Sequence, residues 1–311
     1  MLIHEFPDIH WLKQQIKTRF ANRRRWDGQQ LPTSGWPTVV LNTKAKSTVR
    51  DNVIGPLSIF TNHSGKSQAS AGGREVQISE DVFFVSNANE SYSLIMKEPV
   101  ETFNIHMGEK LSEEIFYSLS KTHSQLLDNP NETEKLPSFH NKLHWRNERF
   151  NSIISSLQKE NNELKESELM AELLFCLLES QQQINHSQLS VDSIKSSTRE
   201  EISKRLMIAV DFIYSNFDKE ISLDDLAAVS CVSKFHLVRL FKGFFKSTPH
   251  QFVTQVRLSK AKALLQQRTG SIKEVAAKVG FVNSSSFSRL FHQSTGFYPT
   301  QLSPSRLERA G

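Results

Sequence analysis

At 311 residues the chain is too long for one ordinary domain and suits two, each able to bury its own core. Its formal charge of +5 hides a split: from Ser203 onward 16 Lys and Arg face 7 Asp and Glu, net +9, while the preceding part holds 22 against 26, net −4. The two cysteines, Cys176 and Cys231, lie in apolar, helix-patterned surroundings, which suggests neither a disulfide framework nor a cysteine-based metal site and suits a reducing cytoplasm.

The opening MLIHEFPDIHWLKQQIK is charged and amphipathic, unlike a signal peptide. The longest apolar run, Leu173–Leu178, is far short of the roughly 18 residues a membrane span needs. Periodicity predicts a helix over residues 1–25, with Ile9, Leu12, Ile16 and Phe20 on one stripe, and the basic run Arg23-Arg24-Arg25 reads as a surface cluster beside a domain start. From Pro32 the texture changes to short β-type segments at Thr38–Asn42, Leu57–Asn62, Glu75–Ile78, Val82–Val85, Tyr92–Met96 and Thr102–Met107. Alternation is clearest in Tyr92-x-Leu94-x-Met96 and Phe103-x-Ile105-x-Met107. So many short strands predict an antiparallel barrel or sandwich with a side-chain-filled or ligand-sized interior. His63 and His106 are isolated, and no His-x-His pair occurs in the chain, so neither reads as a metal ligand.

Residues 109–181 turn helical. Stripes run through Ile115 and Leu119, then Phe150, Ile153, Ile154 and Leu157, then Leu169, Leu173 and Leu177 with Met170, Leu174 and Leu178, broken by the polar loop Asp128–Lys135. The last helix is apolar nearly all round, which suits burial on a barrel and a second subunit at once, or burial within one monomer. The stretch up to Thr198 lacks periodicity and reads as a flexible linker. A helix with Ile202, Leu206, Ala209, Ile213 and Phe217 on one stripe follows.

Two later segments repeat. Leu240-Phe241 in SKFHLVRLFKGFFKSTP aligns with Leu290-Phe291 in SSSFSRLFHQSTGFYP; Arg239 falls on Arg289, Leu237 on Phe287, Ser247 on Gly296 and Pro249 on Pro299. Each copy reads as a short helix, a tight turn and a second helix. Ser222 and Ser271 start the first helices, Asp225 and Glu274 close capping boxes, Ser233 caps the second helix of the first copy and Gly280 supplies the turn of the second. With Leu237, Leu240, Phe241 and Phe244 inward, Phe235, Val238, Arg239 and Lys242 face out; with Phe287, Leu290 and Phe291 inward, Ser285, Ser288, Arg289 and His292 face out. A second helix in this arrangement can enter the major groove, where Arg239 and Arg289 suit guanine and Phe235 and Val238 suit a thymine methyl. Between the copies Thr248 caps and Pro249 opens a long helix carrying Phe252, Val256, Ala263 and Leu264, whose rigidity sets the separation of the pairs.

The stretch from about Arg205 to Pro304, with ISLDDLAAVSCVSKFHLVRLFK, RLSKAKALL and IKEVAAKVGFVNSSSFSRLFHQSTGFYP, resembles the DNA-binding domain of the AraC/XylS family of bacterial transcription regulators. The resemblance implies seven helices in two subdomains joined by one long helix. It implies base contacts from Phe235, Val238 and Arg239 in the first reading helix and from Ser284, Ser285, Ser288 and Arg289 in the second, and the full DNA-binding set is taken as these with Lys234, Lys242 and His292. The family usually has Gly where Ser247 stands, and an aromatic and an Arg where this chain has Leu302-Ser303. GGREVQISEDVFFVSNANESYSLIM is similar, less closely, to the middle of the family's cupin-like effector barrel.

The expected architecture is two domains. Residues 1–180 form a mixed α+β sensor or dimerisation domain with a cupin-like antiparallel barrel plus helices, 181–200 a linker, and 201–311 an all-α DNA-binding domain with two helix-turn-helix motifs at about 221–242 and 269–292. The expected function is sequence-specific transcription regulation as an activator, in the bacterial cytoplasm and without membrane contact. Double-stranded operator DNA is the partner, with RNA polymerase, a small-molecule effector and a second copy of the chain as further partners, and no metal, cofactor or catalytic residue. The alternative is an enzyme, of cupin or DNA-repair type, fused to the same domain; it needs clustered metal ligands or reactive cysteines that the sequence lacks.

Overall fold

The computed structural model describes residues 2–3, 36, 38–129, 132–159, 162–189, 196–267 and 269–302. The chain divides into two compact units, Met1–Asn185 and His186–Gly311. The first holds strands β1 (Leu2–Ile3), β2 (Val39–Ala45), β3 (Thr48–Ile54), β4 (Leu57–Ser64), β5 (Ser67–Ala71), β6 (Arg74–Ile78), β7 (Val82–Ser86), β8 (Ser91–Met96), β9 (Val100–Met107) and β10 (Lys142–Trp145). They form a six-stranded sheet in the order β1-β2-β9-β4-β7-β10 and a four-stranded sheet in the order β3-β8-β5-β6. Every described pairing is antiparallel except β1 with β2.

Strands buried on both faces carry the larger sheet. Ile59, Phe83, Val85, Phe103, Ile105 and Met107 point to one side, where they pack with α1 (Glu109–Ser120), α3 (Glu148–Leu157) and α4 (Glu163–Leu189) through Ile115, Phe150, Ile153, Ile154, Met170, Leu173, Leu174 and Leu177. The opposite side meets the smaller sheet: Phe60 lies 4.8 Å, centroid to centroid, from Tyr92, and Asn62 donates to Ser67 Oγ and to the Ile78 carbonyl. Because Leu173 and Leu177 belong to this core, removing either apolar side chain damages the unit itself. A subunit contact on α4 would have to use its outer side chains, such as Phe175, which is 39% exposed.

Several sequence expectations change. Strands β3, β5 and β10 were not foreseen. β3 is solvent-exposed and bulged between Arg50 and Val53, β5 is the small, polar SQASA, and β10 is four residues set within the stretch read as helical. None carries a long apolar alternation; each is stabilised by its neighbours, as β10 is by pairing with Val82–Val85. A short helix α2 (His123–Asp128), boxed by Thr122 and Gln125, stands before the expected polar loop. The linker expectation for 181–200 does not hold at its ends: 181–189 continue α4 and 196–200 begin α5 (Ser196–Asn216), since neither Gly nor Pro interrupts them. The helix expected over residues 1–25 and the run Arg23–Arg25 lie outside the described residues, apart from Leu2–Ile3, which are a strand.

The second unit contains α5, α6 (Leu223–Ser230), α7 (Lys234–Phe245), α8 (Pro249–Gln266), α9 (Ile272–Lys278), α10 (Ser284–Thr295) and α11 (Pro299–Leu302). The caps follow the sequence closely. Ser222 boxes with Asp225, Thr248 with Gln251 and Ser271 with Glu274, and Pro249 opens α8. Buried residues on α8 are Pro249, Val253, Val256, Leu258, Ala261, Leu264 and Leu265, while Phe252 and Ala263 are only half-buried.

Between the two sheets His106 is buried and shares a 2.9 Å hydrogen bond with Ser58 through Nδ1; burial alone lowers its pKa to about 4 from 6.5. Between those values the unfolded chain takes up a proton that the folded chain refuses, so stability falls as pH drops. From this residue alone the first unit is expected to lose about 2 kcal/mol between pH 7 and pH 5, at about 1.4 kcal/mol per pH unit. Urea midpoints at the two pH values should converge in His106→Gln, leaving the residual slope of half-buried His63 and His144, whose pKa values desolvation also lowers.

Candidate nucleic-acid interface

Helices α6 and α7 form one pair and α9 and α10 another. In the first, Leu237, Leu240, Phe241 and Phe244 are buried along α7, as its periodicity requires. On the opposite side Phe235 is 88% exposed, Arg239 and Lys242 are exposed and Val238 is half-buried. Lys234 forms an ion pair with Asp224 of α6 at 2.8 Å, so it reaches a phosphate only by releasing that partner. Ser233 stands at the N-cap of α7 without making a side-chain capping bond.

In the second pair Phe287 and Phe291 of α10 are fully buried in a core with Val275, Ala276, Val279, Leu258, Ala261, Leu264 and Leu265; Leu290 is packed against it but only half-buried. Asn283 caps α10, accepting from the backbone N–H groups of Ser285 and Ser286. Ser284, Ser285 and Arg289 are exposed; Ser288 donates to the Ser284 carbonyl at 3.0 Å, and His292 stacks on Tyr298 at 4.0 Å. The arrangement therefore presents one exposed guanidinium on the outer face of each second helix, at equivalent places in the two pairs.

Two residues of this surface escaped the sequence reading. Val282 is fully exposed in the turn before α10, where its lack of any stripe partner was the available signal. Together with Val238 it lines a cleft of about 830 Å³ whose walls also include Asp218, His250, Val253, Arg257 and Phe281. Arg257 entered only as a letter of the RLSKAKALL stretch; it proves to bridge several segments.

The helix ends correct the alignment of the copies. Gly296 closes α10 in the left-handed region at φ 76°, and the residue doing this for α7 is Lys246 at φ 54°, so Lys246, and not Ser247, matches Gly296. Likewise Cys231 closes α6 at φ 52° where Gly280 has φ 84°, and Cys231 is exposed rather than in an apolar setting. A Cβ in this region is costly, and Lys246 tolerates it while its ammonium donates to the Gly243 carbonyl.

Residues 226–304 match the family described as helix-turn-helix domain. The probable transcriptional regulator LumQ of Photobacterium leiognathi is 35% identical over 96 residues, 30% of this chain and 39% of LumQ. The crystal structure of an AraC-type transcriptional regulator from Chromobacterium violaceum is 31% identical, covering 34% of this chain and 93% of that one, with a TM-score of 0.31. The chain carries an AraC-type helix-turn-helix domain. The bifunctional transcriptional activator/DNA repair enzyme AdaA of Bacillus subtilis is 32% identical over 94 residues, 30% of this chain and 44% of AdaA. The chain thus spans less than half the length of either curated relative.

Replacing Lys246 by Gly in the AraC-type domain removes a left-handed penalty of about 1–2 kcal/mol against about 0.5–1 kcal/mol of extra unfolded-state freedom. The expected outcome is a net gain of about 0.5–1 kcal/mol, read from urea unfolding of the C-terminal unit by circular dichroism.

Proposed function

We propose that this protein is a sequence-specific DNA-binding transcription regulator, an activator, whose two helix pairs are two helix-turn-helix motifs at about 221–242 and 269–292. The observation that carries the reading is the pair of exposed guanidiniums, Arg239 and Arg289, on the outer faces of α7 and α10 in a segment with net charge +9. Concentrated positive charge provides affinity for phosphate, and paired arginines provide base readout. Phe235, Val238, Arg239, Ser284, Ser285, Ser288 and Arg289 are the base-facing set; Lys242 and His292, and Lys234 once freed from Asp224, serve the backbone. The partner is double-stranded promoter DNA, with RNA polymerase as the downstream contact and the bacterial cytoplasm as the place of action. Among the described residues no helix is long and apolar enough to cross a membrane.

Residues 1–180 are assigned as a cupin-like effector-sensing or dimerisation domain, 181–200 as the connection and 201–311 as the DNA-binding domain. Support for a sensing role comes from the space between the two sheets. There Trp36 Nε1, Ser86 Oγ and Asn104 Oδ1 are buried without hydrogen-bond partners. Ser86, Ser58 and His106 lie abreast on β7, β4 and β9. Unpaired buried polar groups cost stability, which a small polar effector accepting or donating these bonds would recover. A homodimer would raise the effective concentration of a second reader at an adjacent site. The AdaA relationship keeps a DNA-repair fusion as the second reading; among the described residues no group of three or more His, Cys, Asp and Glu side chains is placed to hold a metal.

The test is direct. A fragment of residues 200–311 is expected to bind DNA with log K falling against log salt at about −0.9 per neutralised phosphate, for ~5 to 8 contacts. A flat salt response sinks the reading. Arg239→Ala should relax base preference in one half of the selected site and Arg289→Ala in the other, each costing about 1–3 kcal/mol, whereas Lys242→Ala should weaken all sequences alike. Competition binding against single-base variants of the site separates the two behaviours.

A further inference from the structure

Arg257 sits near the middle of α8, half-buried, and its guanidinium ties two other segments to this helix. Nε donates to the Phe217 carbonyl and Nη2 to the Lys219 carbonyl, each at 2.7 Å, which grips the chain between α5 and α6. On its other side the guanidinium lies 5.8 Å from the centroid of Phe281, whose ring in turn packs 5.2 Å from Phe287 at the start of the buried stripe of α10. Gly280 completes the junction. At φ 84° a Cβ there would stand 2.8 Å from the Asp218 carbonyl oxygen and 3.1 Å from Arg257 Cζ, so the turn of the second pair comes against the loop of the first only because no side chain intervenes. Residues from both pairs, Val238 and Val282, line the cleft beside this junction.

The planar fork of Arg fits two carbonyls at once, and a lysine ammonium in its place keeps the charge but cannot hold both in the same geometry. Helix α8 alone sets a distance of about 27 Å along its axis at 1.5 Å per residue, but a helix leaves the rotation of each pair about its own end to the side chains packed there. The loop before α6 and the turn before α10 are the segments whose positions decide where α7 and α10 point.

We propose that Arg257, with Gly280, is a positioning latch that fixes the spacing and relative rotation of the two reading helices, so that the chain accepts one separation between the two halves of its DNA site. This rests on the regulator reading. The latch specifies spacing, not base identity: it touches protein backbone and an aromatic ring, and each base pair added between the halves shifts the second by about 3.4 Å and rotates it about the DNA axis.

The experiment uses the full chain. Sites are enriched from a randomised double-stranded DNA library, and the enriched site is then remade with one base pair inserted or removed between its halves, and with either half scrambled. Wild type is expected to lose roughly tenfold or more on a one-base-pair change, because the second half then no longer binds as a tethered partner. Arg257→Lys is expected to bind the original spacing more weakly, to bind the altered spacings within roughly threefold of it, and to hold single half-sites as wild type does. Gly280→Ala, which pushes the same junction apart from the other side, should give the same relaxed spacing. The latch is overturned if both variants keep the full wild-type spacing penalty, or if they lose half-site and full-site binding in parallel with a drop in thermal midpoint, which would make the junction a stability element only. A wild-type chain that enriches no sequence fails the regulator reading itself, a result distinct from both.

Discussion

Helix α8 is buried in two places at once. Near its start Phe252 packs against Phe241 and Phe245 of the first pair, and toward its end Leu258, Ala261, Leu264 and Leu265 enter the core of the second. Each pair alone is too small to bury its apolar stripe, so each borrows one face of the shared helix, and the two helix pairs become parts of one packed unit. The cap that starts α8 matters for the same reason: Thr248, Gln251 and Pro249 together fix where the helix begins, and so where the first pair is attached.

The outer faces follow from the inner ones. Once Leu237, Leu240, Phe241 and Phe244 turn inward, a 3.6-residue period leaves Arg239 and Lys242 no buried option, and Phe287 with Phe291 does the same for Arg289. Phe235 and Val282 stay exposed, and under the proposed function DNA would cover them.

In the first unit the face of the large sheet that meets the small sheet carries a row of polar side chains among its apolar ones: His106, Ser58 and Ser86 lie abreast, and Thr43 bonds Thr102. Such a row sacrifices hydrophobic burial for directional groups in a low-dielectric space, where satisfied bonds are strong and unsatisfied ones costly. Burial also keeps His106 neutral well below the pH at which a free imidazole titrates.

Local chemistry determined much of this protein from sequence alone. The capping boxes at Ser222, Thr248 and Ser271, the stripes of α7 and α10, the outward arginines and most strands of the larger sheet follow from hydrogen-bonding side chains within four residues and from simple periodicity, so they are visible in a linear reading. Tertiary structure decided what depends on distant partners. Strands β3, β5 and β10 exist because neighbours complete their ladders; Leu173 and Leu177 became core because the large sheet needed a cover; Lys246 rather than Ser247 took the left-handed position. The Arg257 junction brings together Phe217, Lys219, Gly280 and Phe281, residues up to 40 positions from it along the chain. Its geometry is set by how two cores pack against one helix, a constraint that periodicity and capping, which act over a single turn, do not contain.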